Sequence, residues 1–387
     1  MSNPKNLERL ALYIEPLDSL FFRGGRPMES GSRNRSELPG PQNLLGMIRT
    51  YIWGACGCDF SQLAHQLKQG ATPAVAAASC GVPEWAAKLQ VRGPWLARFS
   101  CRQTEAEDLF LAPPANLEPG NGKHWVLHPS KEPMPGISTS SAALMPLWNR
   151  SWARERVNPP EDAAGKKTDQ VLIRFKALRE FLSGATALSS GLDQENFISP
   201  RKLYALEPKV GIGLSVETLT VEEGLLFSTD LLRLNLEYCQ GFYAEILADS
   251  ATEVDRLFAS PVVLTFGGES RCVSVRAVQP LVWPTIEGNS SRFAYLLSPA
   301  FFGAKAVPDR LPGNVAPCAV SVRDAYSISG WDLARHGPKP VRFGVAAGSV
   351  YFTESSQPCD PLTSVTTECE DQAAGYGAVL QGVWNYA

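Results

Sequence analysis

Histidine is scarce: the 387 residues hold four, His65, His124, His128 and His336. None sits in a recognisable catalytic motif, which limits the general bases available for acid–base catalysis. Cysteine is more plentiful but unorganised. The nine thiols are odd in number and scattered, which fits reduced cysteines better than a disulfide framework. Cys56-Gly57-Cys58 is the one close pair, and with no second pair at ligand spacing no metal site is expected. No apolar run approaches the length that spans a bilayer, and residues 1–15 lack a signal-peptide layout. The expectation is a cytoplasmic protein with no membrane partner and no cofactor. An excess of one charge is also missing. With 36 Lys and Arg against 39 Asp and Glu, the formal net charge of -3 argues against a free-standing, non-specific nucleic-acid binder. A local basic site remains open, because clusters at residues 23–49 and 335–342 are offset by acidic stretches such as 354–371. A mosaic of this kind suits a subunit that meets nucleic acid on one face and proteins on others.

What is present is concentrated first in residues 12–53. Leu12-Tyr13-Ile14-Glu15-Pro16-Leu17 reads as a strand stopped by proline. A loop follows in which Phe21, Phe22, Arg23 and Arg26 surround Gly24 and Gly25, with Arg33 and Arg35 in a run of Ser, Asn and Gly. After Pro39-Gly40-Pro41, Leu44, Leu45, Ile48 and Ile52 recur at helical spacing. Glycines let a ligand approach the backbone, and guanidinium groups grip phosphate in bidentate fashion, so the loop favours a polyanion. Phe22 can stack on a base or fill the core beneath the loop. Free N–H groups at the helix start, near Gln42 and Asn43, and Arg49 one turn or so further on point to the same place. The alternative is a surface loop whose arginines are merely solvated.

At 387 residues with 44% apolar content the chain has room for two cores. Residues 118–167 are rich in Pro, Gly, Ser, Trp and charge without periodicity and read as a surface insertion. Helical spacing returns over residues 171–182. Two strands around residues 202–214 and 225–228, joined by a polar arm, read as a projecting β-hairpin. Lys209, Gly211, Ile212 and Gly213 lie on its first strand, where glycine implies a bulge or a ligand passing close. A second basic glycine turn, Gly267-Gly268-Glu269-Ser270-Arg271, follows the strand at 262–266, with Glu269 placed to orient Arg271. Phe293-Ala294-Tyr295-Leu296-Leu297-Ser298-Pro299 echoes residues 12–16 and sets a boundary near 287–291. The expected class is α+β: two ferredoxin-like (RRM-like) domains over 1–285 and 286–387, carrying a long hairpin and surface insertions. In its RNA-binding form this unit exposes a sheet face to single strands.

Three segments, residues 16–27, Lys209-Val210-Gly211-Ile212 and 267–271, together resemble the repeat-associated mysterious proteins (RAMPs) of CRISPR systems. More narrowly, Gly330-Trp331-Asp332-Leu333-Ala334, Lys339-Pro340 and Ala347-Gly348-Ser349-Val350-Tyr351-Phe352 are similar to the family of third subunits of the Cmr complex, the type III-B effector. The resemblance implies a pair of ferredoxin-like domains, an extended hairpin and a non-catalytic role. The implied partners are the guide RNA (crRNA), capped at its repeat-derived 5′ tag, the large polymerase-like subunit, the backbone RAMP subunits and, indirectly, target RNA. Two departures stand out: Gly25 where an acidic residue is expected, and Lys209 where arginine is commoner. Lysine keeps the charge but cannot reproduce a bidentate phosphate grip.

The expected RNA contacts are therefore Phe22, Arg23, Gly24, Gly25, Arg26, Arg33, Arg35, Arg49, Lys209, Gly211, Ile212, Gly267, Gly268, Arg271, Trp331 and Lys339, with no catalytic residue. Two other readings compete with the RNA scaffold. One is a guide-processing endoribonuclease of the same superfamily, with His336 as base and Lys339 stabilising charge. The other is a protein–protein adaptor without RNA contact.

Overall fold

The computed structural model describes residues 7–23, 33–100, 102–131, 144–149, 151, 153, 171–191, 196–214, 217–218, 220–288, 290–332 and 337–387. Its principal elements, in chain order, begin with β1 (Glu8–Pro16), β2 (Arg33–Arg35), α1 (Pro41–Ala55) and β3 (Gln90–Phe99). Next come β4 (Leu117–Gly120), β5 (Lys123–Val126), β6 (His128–Pro129), β7 (Leu147–Trp148), α2 (Phe175–Leu182) and β8 (Ala187–Ser189). The hairpin strands β9 (Tyr204–Leu214) and β10 (Val221–Leu234) precede β11 (Gly241–Ala248), α3 (Ala251–Leu257), β12 (Val262–Thr265) and β13 (Cys272–Val278). The chain closes through β14 (Arg292–Leu296), β15 (Ala319–Ser321), β16 (Val350–Thr353), α4 (Cys369–Ala374) and β17 (Val379–Val383). With its predominantly antiparallel sheets and short helices, the protein is α+β.

Two compact units form. The first takes Met1–Glu107, Arg201–Leu281 and Ser327–Arg342; the second takes Asp108–Pro200, Val282–Tyr326 and Phe343–Ala387. The expected division at 285/286 separates residues 108–200 from the C-terminal segments with which they form the second unit.

In the first unit β1 runs between β11 and β13, giving the antiparallel order β3-β11-β1-β13-β12. Pairing puts Leu10, Leu12 and Ile14 beside Ile246, Ala244 and Phe242, an apolar face set by the two-residue period of a strand. Helices α1 and α3 pack on this sheet. The other face differs from the exposed surface expected of an RNA-binding sheet. Tyr13 and Tyr243, opposite one another, are both fully buried. The Tyr13 ring lies 4.0 Å from that of Phe99, the Arg276 guanidinium stands 4.8 Å over it, and its hydroxyl donates to the Gln240 carbonyl at 3.2 Å. The Tyr243 hydroxyl donates to Glu245 at 2.6 Å and accepts the Leu281 N–H at 2.8 Å. Glu245 is fully buried and pairs with Arg9 at 3.5 Å. Burial, with Glu245 beside it, raises the Tyr243 phenol; burial pushes Arg92 down to about 10 against the opposing pull of Glu245 across the strand pair. These aromatics hold the fold together and are not offered to bases.

The second unit contains the antiparallel order β15-β16-β14-β17. If only the strands named in these two orders are counted in chain order and the edge strand β12 is set aside, both orders read second, third, first, fourth. Ala294, Leu296, Tyr351 and Val379 lie in the core of this unit, and Phe181 of α2 packs on Phe293 with ring centroids 5.0 Å apart. One expectation is corrected here. Residues 172–174 form a short strand before α2, which starts only at Phe175. The stretch read as a surface insertion contains regular pairing among its described residues: β5 lies between β4 and β8, and β6 pairs with β7. Alternating polar and aromatic residues in strands this short leave little periodicity to detect.

Gly241 opens β11 where a Cβ would collide with the Ile14 carbonyl and the Tyr13 ring. Gly241→Ala is expected to lower stability by about 1–3 kcal/mol, the usual cost of overpacking. Urea unfolding checks this, and an unchanged midpoint would contradict the close pairing of β1 and β11.

Candidate nucleic-acid interface

The first basic loop is closed at its base by hydrogen bonds across its two arms. The Phe22 N–H donates to Ser36 Oγ at 3.0 Å, the Glu37 N–H donates to the Phe22 carbonyl at 3.0 Å, and Arg23 bridges to Ser36. Strand β2 then pairs in parallel with β10, setting Arg33, Asn34 and Arg35 beside Ser228, Thr229 and Asp230. Thr229 lies opposite Lys209 on β9, so loop and hairpin form one sheet, β9-β10-β2. Arg23 and Arg35 are both exposed, one on each arm of the loop base. The expected irregularity on β9 is present as a register shift between Ile212 and Leu214. Gly211 pairs opposite Phe227, and Ile212 is half exposed.

The second glycine turn is packed onto the first loop. Gly268 N–H donates to the Phe21 carbonyl at 2.7 Å. Gly267 has φ +93°, and a Cβ there would lie 2.5 Å from the Phe21 oxygen and 2.9 Å from the Phe22 ring. These glycines give their space to Phe21 and Phe22. Phe22 is 3% exposed with its ring 4.8 Å from that of Phe266, so it fills the core instead of stacking on bases.

Charges from three segments join in an alternating chain. Lys209 pairs with Glu269 at 3.4 Å, and Glu269 with Arg271 at 3.7 Å. Arg271 pairs with Asp18 at 2.9 Å, Asp18 with Arg233 at 3.1 Å, and Arg233 with Glu207. Glu269 lies beside Arg271 as expected, but the hydrogen bond that holds the Arg271 guanidinium runs to Asp18. Asp18 and Arg233 were not expected at the site. Asp18 stood in plain view between β1 and Phe21, but nothing local shows that it lies between two arginines distant in sequence. The chain of six is electrically balanced, so Lys209 and Arg271 are engaged by carboxylates. Arg271 Nε is buried with no hydrogen-bond partner among the described residues, leaving one donor of the fork unused.

Arg49 is corrected. It is 8% exposed on α1, with its guanidinium 5.2 Å from the Trp53 ring centroid. Its helical position, about two turns beyond the start at Pro41, is buried. At the N-terminus of α1, Asn43 Oδ1 accepts the Gly40 N–H at 2.9 Å, and Gln42 Nε2 donates to the Ser329 carbonyl at 3.1 Å. Lys339 is exposed, and its backbone is tied to Gly330 and Ser329. Residues Trp331–Asp332 pair with Gly337–Pro338. Gly24, Gly25, Arg26 and His336 lie outside the described residues, as do the side chains of Arg33 and Trp331.

The Asp18 carboxyl is held below the usual carboxylate range, first by the Ser19 backbone N–H and then by Arg233 and Arg271. A lowered folded-state pKa gives stability that is present above the unfolded value and lost as pH falls through the folded one. Wild type is therefore expected to be more stable than Asp18→Asn near neutral pH, with the difference shrinking below about pH 4. Urea unfolding across pH measures it; a pH-independent difference contradicts the ion-pair role.

A family model described as CRISPR-associated protein (Cas_Cmr3) matches residues 12–384. No curated protein matches the chain. Among solved structures, a chain of the type III-B Cmr-beta complex bound to cognate target RNA, seen by cryo-electron microscopy, is 16% identical. That match has a TM-score of 0.46 and covers 89% of this chain and 86% of that one. A chain of the same complex bound to cognate target RNA and AMPPnP, state 1, is also 16% identical, with TM-score 0.45 over 88% and 86%. With the family model spanning all but the two ends of the sequence, the chain belongs to the Cas_Cmr3 family of CRISPR-associated proteins.

Proposed function

We propose that this chain is a non-catalytic RNA-binding subunit of a type III CRISPR effector, acting in the cytoplasm. It holds the repeat-derived 5′ tag of the guide RNA and docks against the large polymerase-like subunit, beside the backbone RAMP subunits, meeting target RNA only indirectly. The observation that carries this reading is the attachment of the base of the first basic loop to the hairpin through β2, which puts exposed Arg35 on the same small sheet as Lys209 and leaves exposed Arg23 bridged to Ser36 at the loop base. Backbone glycines and guanidinium groups suit phosphates of a single strand, and phosphate contacts fix the position of an RNA end. Gly24, Gly25, Arg26, Arg33, Trp331 and Lys339 complete the proposed contacts.

The repeated strand order supports two ferredoxin-like folds, the sheet of the second opening at β14. In each order the first of the named strands is flanked on both sides by later antiparallel strands. Helices α1 and α3 supply the two crossovers of the first sheet, and α4 supplies the last crossover of the second.

The test uses the reconstituted effector with guide RNA carrying or lacking the tag. Arg23→Ala with Arg35→Ala is expected to weaken tag-dependent binding about tenfold or more, since hydrogen bonds to charged groups contribute about 1.5–3 kcal/mol each. The slope of log affinity against log salt is expected to become shallower by about 1.4, for two phosphate contacts on a single strand. Unchanged affinity and slope would refute the loop as a tag site.

A further inference from the structure

Residues 117–189 carry a feature that the tag site does not use. Strands β4, β5 and β8 form a small sheet, and β6 pairs with β7 so that His128 lies opposite Trp148. Asn116 ties the turn between them, its Nδ2 donating to the Leu127 carbonyl at 2.8 Å and its own carbonyl accepting the Leu127 N–H at 2.9 Å. The Ala387 N–H donates to the Pro129 carbonyl at 3.1 Å and seats residues 385–387 alongside. Between them lies a cavity of about 300 Å³, lined chiefly by Trp125, His128, Trp148, Asn149, Thr186 and Tyr386. Every one of these residues belongs to the second unit.

The lining is chemically specific. Three large rings and an imidazole contribute to its wall, and cations accompany two of the rings. Lys123 Nζ stands 3.9 Å from the Trp125 ring centroid, and Lys131 Nζ stands 4.1 Å from that of Tyr386. Glu354 accepts the Tyr386 hydroxyl, and Glu118 lies opposite Trp125 on the neighbouring strand. Asn149 is fixed by donating to the Val126 carbonyl at 2.9 Å and accepting the Ser151 N–H at 3.0 Å, so the wall is rigid where it is polar. His128 is 8% exposed, its Nδ1 has no hydrogen-bond partner among the described residues, and burial lowers its pKa, keeping the ring neutral. The volume falls at the lower end of small-ligand sites. Planar walls ask for a planar guest, and flanking lysines ask for a negative charge beside it. A nucleotide within a single strand supplies both, because every base has a π-face and a phosphate on either side.

The geometry points to this cavity as a second RNA contact, which takes one unpaired nucleobase against Trp125, Trp148 and Tyr386 and sets its phosphates toward Lys123 and Lys131. The contact is sequence-tolerant, since stacking reads no base edge. It goes beyond tag binding and involves none of the tag-site residues.

The experiment uses the full chain and a fluorescein-labelled single-stranded oligouridylate, with Trp148→Leu and Trp148→Phe compared after circular dichroism has shown both to be folded. Leucine keeps apolar bulk without a π-face, whereas phenylalanine keeps the face. Trp148→Leu is expected to bind about fivefold to a hundredfold more weakly, and Trp148→Phe close to wild type. Oligouridylate containing 4-thiouridine is expected to crosslink to Trp125, Trp148 or Tyr386. Equal affinity of all three proteins, equal losses in both variants, or crosslinks confined to other residues overturns the proposal, including the case in which the cavity serves a protein partner. The two sites fail separately. Loss of tag dependence in Arg23→Ala with Arg35→Ala leaves these crosslinks in place, and loss of the crosslinks leaves the tag response intact.

Discussion

The register of β1 between β11 and β13 governs the first unit. Its five residues from Leu10 to Ile14 are buried, and pairing on both sides fixes which of them face the apolar side of the sheet. That register carries forward past Pro16. The Leu17 N–H reaches the Cys272 carbonyl at 3.2 Å, and Leu20 exchanges both backbone hydrogen bonds with Leu232. Asp18 is therefore delivered to Arg233 and Arg271 by backbone pairing on either side of it. A slip of one residue would turn Tyr13 toward the apolar face and carry Asp18 away from both partners. The charged chain is downstream of the core, and its geometry is only as firm as that pairing.

Much of this was legible from the chain alone. The strand at residues 12–16, the helix after Pro41, the hairpin and the turn at 267–271 each carry local signals, in proline, periodicity and glycine, that survive into the structure. What was not legible depended on tertiary context. Phe22 read equally as a stacking ring or as core, and Arg49 read as a ligand-binding group, because a ring and a guanidinium in a basic stretch suit either place. Their burial follows from the packing of Gly267 and Trp53 against them, which no local pattern announces. Glu245 and Arg92 escaped for a related reason. A charged residue inside a strand reads as solvent-facing, and only the covered second face of the sheet makes them interior.

The echo between residues 12–16 and 293–299 now has a structural counterpart. Strands β1 and β14 are each flanked on both sides by later antiparallel strands. Between its first two strands the first sheet is served by α1, whereas the path from β14 to β15 runs through turns and isolated bridges at Phe302–Lys305 and Leu311–Val315. Sequence similarity between the halves is slight because a shared strand order constrains hydrophobic alternation and little else.

Electrical balance along the Lys209-to-Glu207 chain has a bearing on selectivity. A strand that drifts past meets no unpaired positive field at Arg271 or Arg233, because each already holds a carboxylate. Phosphate gains a foothold there only by exchanging with Asp18 or Glu269, and such an exchange is worthwhile only for a strand held at several other points at once. Under the proposed tag-binding role, the surface discounts casual contacts and rewards an RNA already held elsewhere in the assembly.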